Sequence, residues 1–366
     1  MPIAIRGIVI DSEGRPTRGV DISSGGAIVG RSDDKGVFNV KVSPRDDRIV
    51  MTFAREGYIS NTKTYRAKAN GINTVVIWPV AYRLRFDASR DLDVEFGSSA
   101  MRVPANSLAA SSGRALRGTA VVHFTLLDIT SPLQRFAAPG DFTGRLPDGT
   151  IGRLNSYGIF DCGFRDTAGR DLVLRRGAAV EVSIGVPTSI TKTAPRQIGY
   201  YTFNTKSGVW FHAGSFGYDP NKLTYNGSIV QFNAPHNLDD PQDTTCVTIQ
   251  VINMYDGSGL PNMQVTANGP QYSSYGTTDA AGYVCLLVDR NASFSIMASG
   301  SYGGLFWGSS TPTILSSPNI SSGPSDCGDP TLCPFVGCVP LSFATGIGLP
   351  TSLRILSCGN SLLNTA

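Results

Sequence analysis

The chain has 366 residues, of which 41% are apolar, 16% are charged, 41 are Gly and 22 are Pro, and its net charge is +3. An apolar content near the globular average and a small net charge exclude disorder throughout the chain. A nucleic-acid-binding protein is usually far more basic. A chain of this length can bury roughly two to four hydrophobic cores.

The charge is divided unevenly along the chain. From Ser207 onward there are three basic and nine acidic residues, which give a net charge of −6 and leave +9 for the first 206 residues. Opposite charges at the two ends of a molecule can steer the head-to-tail association of copies.

Strand signals begin at the N-terminus and dominate the chain. Residues 3–10 are rich in β-branched side chains and end in a turn cluster, and residues 37–42 alternate with a period of two. Residues 74–80 and 82–86 predict further strands. Turn residues recur about every 8–12 positions, and clean helical periodicity is lacking, which together favour β-sandwiches.

An internal repeat links residues 7–38 with residues 251–284. Each copy contains a strand, an Asp-x-x-Gly-x-Pro turn at 11–16 or 256–261, and later an Asp-x-x-Gly turn at 33–36 or 279–282. In such turns the Asp side chain caps the backbone and the Gly adopts a positive φ. The same order of turns at similar spacing predicts two copies of one strand–turn arrangement.

These residues resemble the carboxypeptidase regulatory-like, transthyretin-like β-sandwich module over about 1–80 and 244–300. Between the two copies, 103–108 and 118–124 are similar to a region of cartilage intermediate layer protein and related extracellular proteins. The similarity continues through segments at 139–141, 154–158, 166–174, 201–214 and 237–247. The resemblance implies a matrix or cell-surface structural protein without catalytic residues. It stops at about Leu305.

We therefore predict an all-β protein of tandem β-sandwich domains with a disulfide-stapled C-terminal tail. The predicted parts are a carboxypeptidase regulatory-like sandwich at 1–82, a central β-rich domain at 83–218, a linker at 219–244, a second small sandwich at 245–300 and a Cys-rich tail at 301–366.

Six of the seven cysteines lie in the last 121 residues, and this clustering predicts three disulfides in an oxidising compartment. The six are Cys246, Cys285, Cys327, Cys333, Cys338 and Cys358. Cys246 and Cys285 lie on predicted strands of the second sandwich and are expected to pair, with the other four in one of three connectivities. Zinc is the alternative, which the absence of a Cys-x-x-Cys pair disfavours. Cys162 is predicted to be a buried free thiol.

The N-terminus runs directly into a strand pattern without the features of a signal peptide. We expect either that a leader has been removed or that the segment comes from a longer precursor. No apolar run reaches the length of a membrane span. Sequons at Asn226, Asn291 and Asn319 would permit glycosylation of a secreted chain.

Candidates for catalysis and metal binding are few. His123 lies in a strand run, His212 lies near a sequence that misses the hydrolase elbow Gly-x-Ser-x-Gly by one residue, and His236 is expected to be solvated. Nucleophilic catalysis needs a nucleophile, a base and an orienting group, which these positions do not suggest. Asp239, Asp240 and Asp243 are candidate calcium ligands, and a solvated acidic linker is the alternative interpretation. No cofactor is expected.

Five aromatic residues lie in Gly/Ser-rich segments of the second half, namely Tyr272, Tyr275, Tyr302, Phe306 and Trp307. Exposed aromatics can stack on sugars or anchor protein interfaces, while packing at a sandwich edge explains them equally well.

The Gly/Ser/Pro-rich tail is expected to be held by its disulfides or by docking onto another subunit, because a free segment of that composition would be disordered. Our hypothesis is a secreted, non-catalytic structural protein that self-assembles head-to-tail into an extracellular fibre or matrix. Its expected partners are other copies of itself, with glycans as a second class. A cell-surface adhesin or carbohydrate-binding module is the alternative, and a hydrolase or its accessory chain is a third.

Overall fold

The computed structural model describes residues 2–43, 48–66, 72–302, 305–308, 312–319 and 333–343. Those residues form an all-β protein with a disulfide near the C-terminus, as predicted. The helical elements among them are α1 (Pro132–Ala137) and a 3-10 helix (Thr188–Thr193). Within the described residues, neither helix has the length and apolar character that crossing a membrane requires.

The first sandwich packs two sheets around one core. Its strands are β1 (Ile3–Ile10), β2 (Asp21–Ser24), β3 (Ala27–Arg31), β4 (Val37–Val42), β5 (Arg48–Ala54), β6 (Tyr58–Ile59), β7 (Asn61–Arg66), β8 (Ile72–Val76) and β9 (Trp78–Pro79). The sheets have the orders β4-β1-β8 and β3-β2-β5-β7, and β6 pairs with β9. Inward side chains such as Val9, Ile22 and Phe53 are fully buried between the sheets.

The second sandwich repeats this topology. Its strands are β23 (Thr244–Asn253), β24 (Gln264–Asn268), β25 (Ser273–Thr277), β26 (Tyr283–Asp289), β27 (Ser293–Tyr302), β28 (Leu305–Gly308), β29 (Thr313–Ser316) and β30 (Phe335–Phe343). The ladder order is β25-β24-β27-β28-β30-β23-β26. β23 is antiparallel to β26 and parallel to β30, as β1 is antiparallel to β4 and parallel to β8. The internal repeat is thereby confirmed and extends to the last strand.

The boundary predicted at residue 300 is wrong, because the second sandwich includes β28, β29 and β30. Residues 335–341 pair with β23 in a parallel ladder, which places part of the predicted tail inside its own sheet. This part of the tail therefore cannot add a strand to another subunit. Residues 344–366 lie outside the described residues.

The turns that precede β4 and β26 have the same hydrogen bonds. Asp33 Oδ1 accepts from the backbone N–H groups two and four residues later, at 2.9 and 2.8 Å, and Asp279 Oδ1 does the same at 2.9 Å in both cases. The hydroxyls of Ser32 and Thr278 each accept from one backbone N–H and donate to one carbonyl across the sandwich. The hydroxyl at this position thus makes the same pair of hydrogen bonds in both copies of the repeat.

Gly36 and Gly282 close these turns at φ +72° and +84°, where an added Cβ would lie 2.6 Å from the Val9 oxygen and 2.5 Å from the Val251 oxygen. We expect Gly36→Ala and Gly282→Ala each to lower the free energy of unfolding by about 3 kcal/mol or more, through backbone strain and overpacking. Gly14→Ala is the control, because Gly14 has φ +77° but nothing within 4 Å of an added Cβ, so its loss should be about 1 kcal/mol. Urea unfolding compares the three, and equal losses would contradict the packing argument.

The central domain lies between the two sandwiches in the chain. Its strands are β10 (Tyr82–Asp87), β11 (Leu92–Phe96), β12 (Ser99–Val103), β13 (Leu108–Ala110), β14 (Thr119–Leu127), β15 (Thr143–Arg145), β16 (Ile151–Asp166), β17 (Leu172–Leu174), β18 (Val180–Gly185), β19 (Gln197–Asn204), β20 (Val209–Asp219), β21 (Thr224–Ile229) and β22 (Ala234–Gln242). The main sheet has the order β10-β14-β16-β22-β19-β20-β21-β18-β12-β11.

The linker predicted at 219–244 is wrong, since β21 and β22 are strands of this sheet. β22 pairs with β16 on one side and β19 on the other, so its polar residues are covered by neighbouring strands. One hydrophobic cluster contains Val76 from the first sandwich, Trp210 from the central domain and Val251 from the second sandwich. The three domains therefore share apolar contacts, in addition to the separate cores of the first sandwich and the central domain.

Candidate functional site

A buried lysine joins the first sandwich to both other domains. Lys63 on β7 is 4% exposed, and its Nζ donates to the carbonyl oxygens of Phe136 at 2.7 Å and Ala138 at 2.8 Å. These carbonyls lie at the end of α1, where the helix leaves acceptors unpaired. The ring centre of Tyr275, from the second sandwich, lies 5.5 Å from Nζ, and its hydroxyl donates to the Gly140 carbonyl at 3.0 Å. One basic side chain thus contacts all three domains.

A buried arginine on α1 joins the central domain to the second sandwich. Arg135 is 4% exposed, and its Nη1 donates to the carbonyl oxygens of Gly269 at 2.9 Å and Pro270 at 2.7 Å. Burial lowers the pKa of Arg135 from its ordinary value, and the nearby Tyr272 and Asp128 oppose that shift. The guanidinium satisfies backbone carbonyls that lie between two strands of the neighbouring domain.

A second buried arginine crosses the same boundary from β16. Arg153 is 1% exposed, and its Nη1 donates to the Leu287 carbonyl at 2.7 Å while its guanidinium lies 3.8 Å from the ring centre of Tyr272. Its Nε lies 3.9 Å from Asp289 Oδ1, and Asn155 Nδ2 donates to the other oxygen of Asp289 at 2.9 Å. Desolvation raises the pKa of Asp289, against the effects of Asn155 and Arg153. This polar network fixes β16 against β26.

Sequence reasoning missed these three basic residues because it assigned no role to single basic side chains outside a motif. Lys63 stands in the alternating segment Asn-Thr-Lys-Thr-Tyr, where a lysine ordinarily marks the solvent face. The available signal was the aromatic Tyr65 two positions later on the same face. Pairing with β5 places Lys63 opposite the buried Met51, so this face is the core face of the first sandwich, and α1 of the central domain supplies the acceptors for the lysine.

His236 is a buried neutral residue, so the prediction that it is solvated is wrong. It is 0% exposed on β22, and its Nδ1 lies 2.8 Å from the Tyr200 hydroxyl. Its ring stacks on Phe160 with centroids 4.8 Å apart. Desolvation lowers the pKa of His236 from 6.5 to about 4, against the attraction of Asp161.

This burial predicts acid sensitivity. Below pH 6.5 the unfolded chain binds a proton at His236 that the folded chain does not bind until about pH 4, so stability falls as the pH is lowered across that window. We expect the wild type to lose about 3 kcal/mol more than His236→Gln between pH 7 and pH 4. Urea unfolding at both pH values measures the difference. His212→Gln is the control and should behave as the wild type, and an unchanged pH slope in His236→Gln would contradict the assignment.

The three acidic residues predicted as candidate calcium ligands do not form a common site. Asp239 is fully buried on β22, Asp240 accepts from Gln242 Nε2 at 2.8 Å, and Asp243 is exposed and pairs with Arg290 at 2.6 Å. Burial, with the neighbouring Asp240, raises the pKa of Asp239 well above its ordinary value. A protonated buried acid is a poor ligand for a hard cation. Adjacent strand residues also point to opposite faces, so the candidate calcium site is not assembled.

The other two histidines lie apart from any nucleophile. His123 Nε2 lies 3.2 Å from Asp161 Oδ1 on the neighbouring strand β16, and His212 packs its ring against Tyr201 with centroids 5.3 Å apart. Across the described ranges, no serine, threonine or cysteine side chain is hydrogen-bonded to a histidine. The geometry of a nucleophile, a base and an orienting group is therefore not present at these positions.

The cysteines pair differently from the prediction. Cys285 and Cys333 form a disulfide, whereas Cys246 is a buried free thiol, so the predicted Cys246–Cys285 pair is wrong. The cause is β30, which sequence reasoning left in the tail and which brings Cys333 beside the sheet. Cys338 on β30 is also disulfide-bonded. Cys327 and Cys358 lie outside the described residues.

Cys162 is a buried free thiol on β16, as predicted. Burial raises the pKa of the Cys162 thiol well above its usual range, so it is protonated and unreactive. The sequon residues Asn226, Asn291 and Asn319 are all exposed, which leaves room for a glycan at each.

Two of the five aromatic residues are withdrawn from the surface. Tyr272 is 0% exposed beneath Arg153, and Tyr275 is half-buried beside Lys63. Neither can stack on a sugar while these contacts hold. The side chains of Tyr302, Phe306 and Trp307 lie outside the described part of the structure.

Several exposed apolar residues lie on strands that pair with a single strand among the described residues. β3 pairs with β2 and carries Ile28, which is 69% exposed, and β29 pairs with β27 and carries Ile314, which is 66% exposed. β10 is one edge of the central sheet and carries Tyr82 at 42% and Leu84 at 37% exposure. An edge strand with an exposed apolar side chain is a template for pairing with another chain.

No protein-family model matches the chain, and no curated protein matches it. Among solved structures, the TIE protein of Bacillus anthracis is 12% identical with a TM-score of 0.19, over 93% of this chain and 51% of that one, so this chain spans about half its length. BcpA, the major pilin subunit of Bacillus cereus, is 8% identical with a TM-score of 0.19, over 93% and 99% of the two chains. The shaft pilin SpaA from Lactobacillus rhamnosus GG is 9% identical with a TM-score of 0.20, over 96% and 100%. Similarities at these TM-scores carry no argument about this chain.

Proposed function

We propose that this chain is a non-catalytic structural subunit that self-assembles head-to-tail into an extracellular fibre or matrix. The observation that carries the proposal is the set of buried basic side chains of Lys63, Arg135 and Arg153, whose hydrogen bonds fix three β-domains to one another. Domains joined by small polar contacts usually move relative to each other. Domains joined by buried, hydrogen-bonded basic side chains and a shared apolar cluster hold a fixed arrangement, which a fibre subunit under tension needs.

The two ends of the chain offer complementary surfaces for this assembly. Residues 1–82 contain twelve basic and eight acidic residues, and residues 245–343 contain one basic and five acidic residues. The edge strand β3 lies in the basic sandwich and β29 lies in the acidic one. Pairing of these edges would bury Ile28 and Ile314 and bring opposite charges together, which favours a head-to-tail contact over contacts between like ends. A contact of this kind that does not close into a ring produces a filament.

The two sandwiches are proposed to be carboxypeptidase regulatory-like modules. Their shared strand order and the matching Asp-x-x-Gly turns support common ancestry of the two copies. A secreted location is supported by the Cys285–Cys333 disulfide, since such bonds persist in oxidising compartments. The exposed sequons are compatible with the same location.

A charge placed on either edge tests the proposed contact. We expect Ile28→Lys and Ile314→Lys each to prevent assembly, because a lysine on an edge strand blocks pairing with another strand. Val230→Lys is the matched control, since Val230 is 68% exposed and lies outside the strands. Sedimentation velocity at low salt measures assembly. Unchanged assembly in both edge variants, with folding intact by circular dichroism, would refute the contact.

A further inference from the structure

Three cysteine side chains lie close together in the second sandwich. Cys285 lies on β26, Cys246 lies on the adjacent strand β23, and Cys333 lies two residues before β30, which flanks β23 on its other side. Their Sγ atoms all lie within 4.8 Å of one another. A free thiol therefore lies within 4.8 Å of both sulfurs of a disulfide.

The strand register explains this arrangement. Cys246 lies opposite Leu287 in the antiparallel ladder with β26, so Cys246 and Cys285 are diagonal neighbours on the same face of the sheet. The Cys285–Cys333 bond joins β26 to the segment just before β30, and these two strands flank β23. Cys246 is 1% exposed and Cys333 is 6% exposed, whereas Cys285 is partly exposed.

We propose that these cysteines form a thiol–disulfide exchange site that passes the bond from Cys285 to Cys246. The Cys246 thiol loses its proton to solvent, and the thiolate attacks Sγ of Cys333. The Cys246–Cys333 bond forms as the Cys285–Cys333 bond breaks, and the bonding electron pair leaves on Cys285 Sγ, which then takes a proton from solvent. One disulfide and one thiol are present before and after, so the step needs no oxidant or reductant.

The direction of attack follows from exposure. Attack on Cys333 makes Cys285 the leaving group, and Cys285 is the most exposed of the three residues, so its thiolate is solvated as it departs. The new bond joins β23 to the segment just before its neighbour β30. The exchange also converts a buried thiol into an accessible one on β26, which ends the ladder order of this sandwich. That thiol can react with a small-molecule or protein disulfide, and this chemistry does not depend on the proposed assembly.

Trapping the thiols in the folded protein tests the exchange. The full chain is incubated at pH 8.5, which raises the thiolate fraction of an ordinary thiol, in the presence of N-ethylmaleimide. Digestion without reduction and mass spectrometry then locate the label and the disulfide. We expect maleimide on Cys285 together with a Cys246–Cys333 cross-link. Label on Cys246 with the Cys285–Cys333 bond retained would overturn the proposal, and so would the absence of label from both residues.

Three variants make the result specific. Cys246→Ser should abolish the labelling of Cys285, whereas Cys162→Ser should leave it unchanged, because Cys162 lies in the core of another domain. In Cys285→Ser, mild oxidation with glutathione disulfide should produce a Cys246–Cys333 bond. Separate glutathione adducts on Cys246 and Cys333 in that variant would show that the two sulfurs do not reach each other and would contradict the proposal.

Discussion

Arg153→Met is expected to lower the free energy of unfolding by about 3–5 kcal/mol, the usual cost of removing one partner from a buried ion pair. The substitution leaves the Leu287 carbonyl without its donor and the Asp289 carboxylate without its nearby cation. Arg153 itself is 1% exposed, so water cannot replace these contacts without opening the boundary between β16 and β26. Urea unfolding measures the stability, and limited proteolysis shows whether the second sandwich separates first.

Two further variants isolate the buried pair. Arg153→Met combined with Asp289→Asn should recover part of the loss, because the neutral amide no longer needs a cation. Arg102→Met is the control, since the Arg102 side chain is 57% exposed beside Asp91 and Asp93, and its loss should stay below about 1 kcal/mol. If Arg153→Met lost no more stability than Arg102→Met, the network around Arg153 would not fix the two domains.

Raising the pH from 7 to 9 is expected to stabilise the wild type by about 2 kcal/mol relative to Lys63→Met. Desolvation lowers the pKa of Lys63 from 10.5 to about 7, against the attraction of Asp141. Between these values the folded lysine is neutral while the unfolded lysine is protonated. The unfolded state therefore binds more protons, and stability rises with pH across that window.

The hydrogen bonds of Lys63 agree with a neutral amine. Its two acceptors are the carbonyls of Phe136 and Ala138, and an uncharged amine has two N–H groups. Chemical denaturation at pH 7 and pH 9 compares the wild type with Lys63→Met. Lys41→Met, at an exposed position on β4, should keep the slope of the wild type. If the stability of Lys63→Met rose between pH 7 and pH 9 as much as that of the wild type, Lys63 would keep its proton in the folded protein.

Local features were readable from the sequence and long-range ones were not. The turns at Asp33 and Asp279 depend on a side chain and a backbone a few residues apart, so the residue order was enough to predict them. β30 pairs with β23 across more than 80 residues, and a Gly/Ser/Pro-rich segment between them concealed the strand. The pairing of Cys285 with Cys333 was not predicted for the same reason.

The buried polar residues show a second limit. His236 and Asp239 stand in a polar segment that is typical of a solvated linker, yet strands on both sides cover it. Lys63 and Arg153 likewise stand at positions where a charge usually faces water. In each case a partner that covers the polar group lies far away in the chain, and no pattern within the segment reports it.

Electron microscopy of the native protein tests the central claim most directly. The wild type at low ionic strength should form unbranched filaments with one subunit repeat, and high salt should shorten or dissolve them, because screening weakens attraction between the basic and acidic ends. Ile28→Lys should give single particles under the same conditions. Dispersed single particles of the wild type at every salt and protein concentration would contradict the account.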